Sequence, residues 1–173
     1  MIINKNIYLI GFMGVGKTSV SKELGKVLGF RVIEIDDIIE KTIGISINEI
    51  FSKYGEDYFR NLETKKLKGI RGEYKSVVST GGGIVTREEN IKFMKNEGVV
   101  VLLKAKPETI FNRLKDTNTR PILNNNMNVE YIKSLMDKRK DLYNMAKDIE
   151  IYTDDKSIEE VCREIIDRLR GYE

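Results

Sequence analysis

The chain has 173 residues, of which 40% are hydrophobic and 33% charged, with 14 Gly and only 2 Pro; this is the composition of one ordinary globular domain and excludes the collagen-like, disulfide-scaffold and disordered classes. Lys and Arg number 30 against 27 Asp and Glu and are interspersed with them, so we expect no nucleic-acid partner. The absence of histidine excludes Ser-His and Cys-His nucleophiles and the Cys/His zinc patterns.

Five short runs rich in β-branched residues predict strands at residues 7–10, 31–35, 76–79, 99–103 and 149–152, and stretches with helical spacing separate them. This alternation predicts an α/β fold built on a parallel sheet, in a single domain over residues 1–173. The apolar runs are far shorter than the ~20 residues of a membrane span, and residues 1–6 lack the apolar centre of a signal peptide. We therefore expect no membrane association.

Residues 11–18 (GFMGVGKT), hereafter the phosphate turn, follow the first strand and match the pattern GxxxxGK(S/T). Such glycines let backbone N–H groups point at phosphate oxygens, and the helix that begins there adds its positive dipole end. Lys17 supplies a full charge and Thr18 a hydroxyl for Mg²⁺. The turn predicts that ATP or GTP binds to Gly14, Val15, Gly16, Lys17, Thr18 and Ser19.

Two acids, Glu34 and Asp36, lie at the end of the second strand, about 20 residues after Gly14, where a dinucleotide fold has its ribose-binding acid. Ser19 stands where that fold needs Gly or Ala, and its cofactor would leave the Lys-Thr pair unexplained, so the phosphate turn is preferred. Strand alternation puts both carboxylates on one side, and the sheet edge brings them near the γ-phosphate or its acceptor. The alternative is an exposed Glu34 and an Asp36 that only begins a helix.

Further along the chain, residues 81–83 (GGG) end the third strand and form either a flexible turn or a backbone surface that a small ligand can touch. Arg60 lies one helical turn before Glu63, where a surface ion pair is one interpretation. Arg139 interrupts the apolar spacing of a later helix and needs an anionic partner. That partner is either a protein carboxylate or the carboxylate or phosphate of a ligand.

The polar stretch of about residues 116–128 contains Arg120 beside Pro121. It suits a mobile lid that closes over ATP, excludes water and brings a cation to the transferring phosphoryl group. An ordinary surface loop has the same composition, so both interpretations stay open.

The last helix has the clearest pattern of the chain. Its apolar residues recur at helical spacing from Ile158 to Leu169, behind Ser157 as N-cap and Glu160 as its capping-box partner. Cys162, the single cysteine, falls on the apolar face and cannot form an internal disulfide. A reducing, cytoplasmic location is expected.

Taken in order, these motifs resemble shikimate kinase over nearly the whole chain. The resemblance rests on the phosphate turn, on Asp36, and on residues 59–63 (FRNLE), 81–83 (GGG), 120–123 (RPIL) and 136–139 (MDKR) followed by 142–143 (LY). It implies a three-layer P-loop NTPase-type fold with a five-stranded parallel sheet, similar to the nucleoside monophosphate kinases, with a mobile lid. It also implies transfer of the γ-phosphoryl group of MgATP to the 3-hydroxyl of shikimate, a step toward chorismate and the aromatic amino acids.

The same resemblance implies residue roles. The catalytic residues are Lys17, Asp36 and Arg120, and the shikimate-binding residues are Asp36, Arg60, Gly81, Gly82, Gly83 and Arg139. Arg113, Arg120 and Lys156 join the nucleotide site. Mg²⁺ is held by Thr18 and by Glu34, which stands where the family usually has Asp. The implied partners are ATP and shikimate, and a monomer is expected.

Two other functions are compatible with these residues. One is a kinase of another small hydroxy-acid, such as gluconate, or of a nucleoside monophosphate. The other is a nucleotide-binding regulator that keeps the phosphate turn without turnover. The combination of Lys17, Asp36, Arg60, Arg120 and Arg139 favours an enzyme, because a regulator needs neither a lid cation nor a pair of acid-binding arginines.

Overall fold

A computed structural model describes residues 5–115 and 128–171 of the chain. Within them, five parallel strands form one sheet in the order β2-β3-β1-β4-β5. The strands are β1 (Asn6–Ile10), β2 (Arg31–Glu34), β3 (Ser76–Ser79), β4 (Gly98–Lys104) and β5 (Ile149–Tyr152). The parallel α/β architecture with five strands is therefore confirmed.

Helices connect the strands, and a short 3₁₀ turn (Ile84–Thr86) follows β3. In the described ranges the helices are α1 (Lys17–Leu28), α2 (Ile35–Ile43), α3 (Ile47–Lys68), α4 (Glu88–Glu97), α5 (Pro107–Leu114), α6 (Val129–Ala146) and α7 (Ile158–Arg170). Gly55 leaves helical geometry inside α3, so this element consists of two helical pieces joined at a kink.

Alternation along the central strand β1 builds a core on each face of the sheet. Ile7 and Leu9 face a cluster that contains residues of α1 and α7, while Tyr8 and Ile10 face a cluster that contains residues of α3 and α4. All four β1 side chains are 0% exposed. The result is the expected three-layer arrangement of helices, sheet and helices.

The last helix forms as predicted. The Ser157 hydroxyl accepts a hydrogen bond from the Glu160 N–H at 3.2 Å, and the Glu160 carboxylate accepts one from the Ser157 N–H at 2.7 Å. Cys162 is buried, with its Sγ 3.7 Å from the carbonyl oxygen of Val20 on α1. Burial raises the pKa of its thiol to about 11, so Cys162 is an inert core residue.

The second strand is shorter than predicted. It ends at Glu34, and α2 begins at Ile35, so Asp36 lies in the first turn of a helix and not on an alternating strand. The argument from strand alternation was therefore wrong. Asp36 and Asp37 make the first turn of α2 acidic, which suits the positive end of the helix dipole.

Most of the predicted lid, including Arg120, lies outside the described residues. Its last residue, Asn128, caps α6, because the side-chain oxygen accepts a hydrogen bond from the Tyr131 N–H at 2.8 Å. In the described part of the chain, no helix combines the length and the apolar character needed to cross a membrane.

Candidate active site

The phosphate turn leads into the N-terminal end of α1. Gly16, the N-cap of this helix, has a φ of 99°, a left-handed conformation that glycine adopts without strain. No side chain of the described residues caps the helix there, so its first N–H groups and positive dipole end form an anion site. The buried Lys17 donates from Nζ to the carbonyl oxygens of Gly11 at 2.7 Å and Phe12 at 3.0 Å. The positively charged ammonium group of Lys17 therefore lies against the phosphate turn.

A carboxylate and a hydroxyl lie beside this turn. Glu34 accepts hydrogen bonds from Thr18 Oγ1 at 3.2 Å and from Ser21 Oγ at 2.5 Å. Glu34 and Thr18 line a cavity of about 450 Å³ together with Lys17 and Asp36. Mg²⁺ takes oxygen ligands, usually one or two carboxylates together with phosphate oxygens. This donor set therefore fits the ion.

A second hollow, hereafter the acid pocket, adjoins that cavity. It is lined by the charged side chains of Asp36, Arg60, Glu63 and Arg139. The acid pocket and the larger cavity have lining residues in common, namely Met13, Asp36, Ile47, Gly81 and Gly82. The structure thus places the predicted acid-binding residues directly next to the phosphate turn.

Arg60 and Glu63 form a buried ion pair on α3. Arg60 is 7% exposed and Glu63 is 0% exposed. One terminal nitrogen of Arg60 donates to Glu63 Oε2, while its Nε and other terminal nitrogen donate to Glu56 Oε1 at 3.2 and 3.0 Å. The interpretation as a surface ion pair was therefore wrong.

Burial sets the electrostatics of this pair. It raises the pKa of the Glu63 carboxyl to about 7, with Arg60 opposing the rise and Asp36 adding to it. Burial alone would lower the pKa of the Arg60 guanidinium, but the Glu63 and Glu56 carboxylates raise it overall. Arg60 therefore stays charged in a pocket whose deepest carboxyl titrates near neutral pH.

Close approach of the glycine turn (residues 81–83) shapes the acid pocket. A Cβ on Gly83 would lie 2.3 Å from the guanidinium carbon of Arg60, and a Cβ on Gly81 would lie 2.3 Å from Glu63 Oε1. Any larger residue at either position would displace the buried ion pair. Packing, and not flexibility alone, explains the glycines here.

Helix α6 supplies two further groups to this region. The Tyr143 hydroxyl donates to the carbonyl oxygen of Gly82 at 2.5 Å, and burial raises the pKa of Tyr143 to about 12. The guanidinium carbon of Arg139 lies 6.0 Å from the ring centroid of Phe12. Arg139 lines the acid pocket, where its charge lowers the pKa of the Glu63 carboxyl and of the Tyr143 hydroxyl against the effect of burial; its role in binding a ligand anion stays a prediction.

Arg113 and Lys156 lie on the other side of the phosphate turn. One terminal nitrogen of Arg113 donates to the carbonyl oxygens of Gly14 and Val15, both at 3.2 Å. Arg113 and Lys156 line one hollow together with Ser19. This placement agrees with the predicted nucleotide contacts, which stay predictions.

Sequence reasoning missed three contributors to the site. Glu56 supports Arg60 at the i, i+4 spacing of a helix, and this spacing could have found it. Tyr143 entered the sequence analysis only as part of the motif 142–143 (LY), with no role of its own, although a tyrosine hydroxyl in a buried seam needs a partner. Nothing in the local sequence indicated that Ser21 would contact Glu34.

A parallel sheet with a phosphate turn next to a pocket of arginines and carboxylates defines a class, the P-loop kinases of small molecules. The model of the family described as shikimate kinase matches residues 13–170. The chain belongs to the shikimate kinase family. It is an ATP-dependent kinase that phosphorylates an alcohol group, as the resemblance implied.

Similar proteins agree with this assignment. The shikimate kinase of Thermodesulfovibrio yellowstonii is 48% identical over 162 residues, which cover 94% of this chain and 93% of the relative. The structure of shikimate kinase from Acinetobacter baumannii in complex with shikimate has a TM-score of 0.94 at 32% identity, covering 98% of this chain and 95% of the other. A gluconokinase from Sinorhizobium meliloti has a TM-score of 0.61 at 15% identity, covering 99% of this chain and 94% of the other, and shares the fold alone. The family reaction expected from sequence is confirmed, and neither a gluconate kinase nor a regulator is supported.

Proposed function

We propose that this chain carries out its reaction by direct transfer of the γ-phosphoryl group of MgATP to the 3-hydroxyl of shikimate held in the acid pocket. The observation that carries the proposal is the contact between the acid pocket and the phosphate-turn cavity, with Asp36 in both linings. A small hydroxylated acid held in one site faces the outermost phosphate held in the other. Positioning of this kind removes much of the entropic barrier. The product is shikimate 3-phosphate, on the route to chorismate and the aromatic amino acids.

The arginines of the acid pocket bind the carboxylate of the substrate. Arg60 is fixed by Glu63 and Glu56, and Arg139 approaches the pocket from α6. Two guanidinium groups from different helices recognise a planar carboxylate by position as well as by charge. The Gly82 backbone and Asp36 are next to them and fix the ring hydroxyls.

Asp36 orients the attacking hydroxyl. Phosphoryl transfer passes through a loose transition state, so the protein supplies mainly position and charge neutralisation. Asp36 therefore accepts the proton of the hydroxyl late, after the bond to the leaving oxygen has weakened.

The phosphate turn neutralises the transferring group. Lys17 and the N-terminal N–H groups of α1 bind phosphate oxygens, while Thr18 and Glu34 are the residues that would hold Mg²⁺. When bound there, the ion would supply positive charge that offsets the negative charge of the phosphate oxygens. Arg120, in a lid within a single kinase domain over residues 1–173, adds a further cation. Arg113 and Lys156 bind the base end of the nucleotide.

A coupled ADP-release assay tests the proposal. Purified protein with MgATP is offered shikimate, gluconate and nucleoside monophosphates in turn. We expect turnover with shikimate and none above background with the others. Turnover with a nucleoside monophosphate alone would assign a different acceptor to the acid pocket, and ATP binding without turnover would identify a regulator.

The partners of the protein follow from the same proposal. ATP and shikimate are small molecules, and we propose that a monomer binds both without a nucleic acid or a membrane. A cytoplasmic location agrees with the buried single thiol and with the use of ATP.

A further inference from the structure

Glu34 is held in an unusual way. It occupies the N-cap position of α2, yet its side chain makes no capping hydrogen bond to the described residues of that helix. It reaches α1 instead, where its two oxygens accept hydrogen bonds from Thr18 and Ser21, one helical turn apart. An N-cap side chain commonly accepts a hydrogen bond from the helix that it begins. The Glu34 side chain instead joins the end of β2 to α1, the helix of the phosphate turn.

Ser21 is the buried half of this arrangement. It is 0% exposed, and its Oγ lies 2.5 Å from Glu34 Oε1 and 2.9 Å from the carbonyl oxygen of Thr18. A serine hydroxyl has one proton, and the carboxylate oxygen is the nearer and more basic acceptor. Hydrogen bonds to an ionised acceptor are roughly twice as strong as neutral ones. The Ser21 proton therefore goes to Glu34.

The hydrogen bond from Ser21 restricts the Glu34 carboxylate, which is longer and more flexible than that of an aspartate. Glutamate has one more rotatable bond than aspartate, so fixing its carboxylate costs more side-chain entropy. With Oε1 held by Ser21, Oε2 points to the Thr18 hydroxyl, 3.2 Å away at the wall of the cavity. Partners of this kind set the orientation and the affinity of metal-binding carboxylates.

We infer that Ser21 is a positioning residue for Mg²⁺, which acts by holding Glu34 so that its second oxygen stays beside Thr18. The inference rests on the proposed role of Thr18 and Glu34 in holding the ion. It assigns Ser21 a part in the site although Ser21 itself touches neither the ion nor the nucleotide.

Calorimetric titration with ADP tests this without measuring turnover. The dissociation constant of ADP is measured with saturating Mg²⁺ and again in EDTA, and the ratio of the two reports how much the ion strengthens binding. In Ser21→Ala we expect this strengthening to fall by about 10-fold or more, with binding in EDTA unchanged. The side chain in Glu34→Asp is one methylene group shorter, so we expect it not to bond both hydroxyls, and adding Ser21→Ala to that variant should change the ratio by less than about twofold.

Ser134→Ala is the matched control. The Ser134 hydroxyl donates to the carbonyl oxygen three residues earlier, that of Tyr131, at 2.8 Å, as Ser21 can to Thr18, but it is exposed and lies on α6. We expect this variant to keep the wild-type ratio. Ser21→Cys, a weak donor of similar size, replaces Ser21→Ala if the latter fails to fold, and should shift the ratio in the same direction.

The outcomes separate the two proposals. If Glu34→Gln weakens the effect of Mg²⁺ while folded Ser21 variants keep the wild-type ratio, the role of Ser21 is overturned and the metal site stands. If Glu34→Gln also keeps the wild-type ratio, the proposed metal site is itself wrong. Equal losses in Ser21→Ala with and without Glu34→Asp would show that Ser21 acts by another route.

Discussion

At the scale of single residues, Arg139 offers a direct test of the acid pocket. It lines the pocket, where its charge acts on the Glu63 carboxyl and on the Tyr143 hydroxyl. Loss of a charged hydrogen-bonded contact costs on the order of 1.5–3 kcal/mol. Arg139→Ala should therefore raise the KM for shikimate roughly tenfold to a hundredfold in steady-state assays. Lys138→Ala, the neighbouring exposed cation on α6, should leave it unchanged. Equal KM values for wild type and Arg139→Ala would make Arg139 a structural residue.

The buried carboxyl of Glu63 gives a dependence on pH. Its pKa in the folded protein is raised to about 7 from an ordinary value of 4.5. Between these pH values the folded protein keeps a proton that the unfolded chain releases, so stability is lost as pH rises through this window and is constant above it. Urea unfolding of wild type should show this loss relative to Glu63→Gln, whose amide does not titrate.

Glu130→Gln is the control for Glu63→Gln, because Glu130 is an exposed residue in the first turn of α6. It should follow the pH dependence of the wild type. Parallel curves for wild type and Glu63→Gln between pH 4.5 and 7 would mean that the Glu63 carboxyl does not titrate in that range.

The sequence predicted that Arg60 and Glu63 are neighbours but not that they are buried. Spacing within one helix determines which side chains meet, whereas burial depends on what packs over them. Here the cover comes from the glycine turn, which is close to them only in the folded chain. For the same reason the contact between Ser21 and Glu34, which joins α1 to β2, had no local signal.

At the scale of elements, the glycine turn after β3 controls the acid pocket. In Gly83→Ala the new methyl group would meet the Arg60 guanidinium at 2.3 Å, so Arg60 must move. We expect a higher KM for shikimate, by about tenfold or more, with little change in the affinity for ADP. Gly171→Ala is the control, because its Cβ meets nothing closer than 3.7 Å. An unchanged KM in Gly83→Ala would show that the position of Arg60 is not critical.

The elements themselves were largely predictable. Buried parallel strands have runs rich in β-branched residues, and all five predicted strands form within one residue of their predicted ends. The end of β2 was misjudged because Ile35, two residues after Ile33, continues the alternating pattern of the strand although it is the first residue of α2. The acidic pair Asp36 and Asp37, which suits a helix start, was the signal for this boundary.

At the scale of the whole molecule, the described surface gives little basis for self-association. Apart from Tyr54 and Tyr58 on α3, whose ring centroids lie 4.8 Å apart, the large exposed hydrophobic side chains lie on different parts of the fold, and single ones of this kind are normal for a monomer. Besides these two tyrosines they are Val27, Tyr74, Met145, Tyr152 and Ile158. We expect sedimentation velocity to give one species at the chain mass of 19.9 kDa. A concentration-dependent species of twice that mass would contradict this.

The chemistry of Cys162 makes the chain convenient for spectroscopy. The sequence contains one sulfhydryl group, and it is shielded by α1 and deprotonates only at strongly alkaline pH. A maleimide dye should therefore react with a cysteine introduced between residues 116 and 127 and leave the native one untouched. Fluorescence from that single label, read during titrations with ADP and shikimate, would report directly on the segment that carries Arg120.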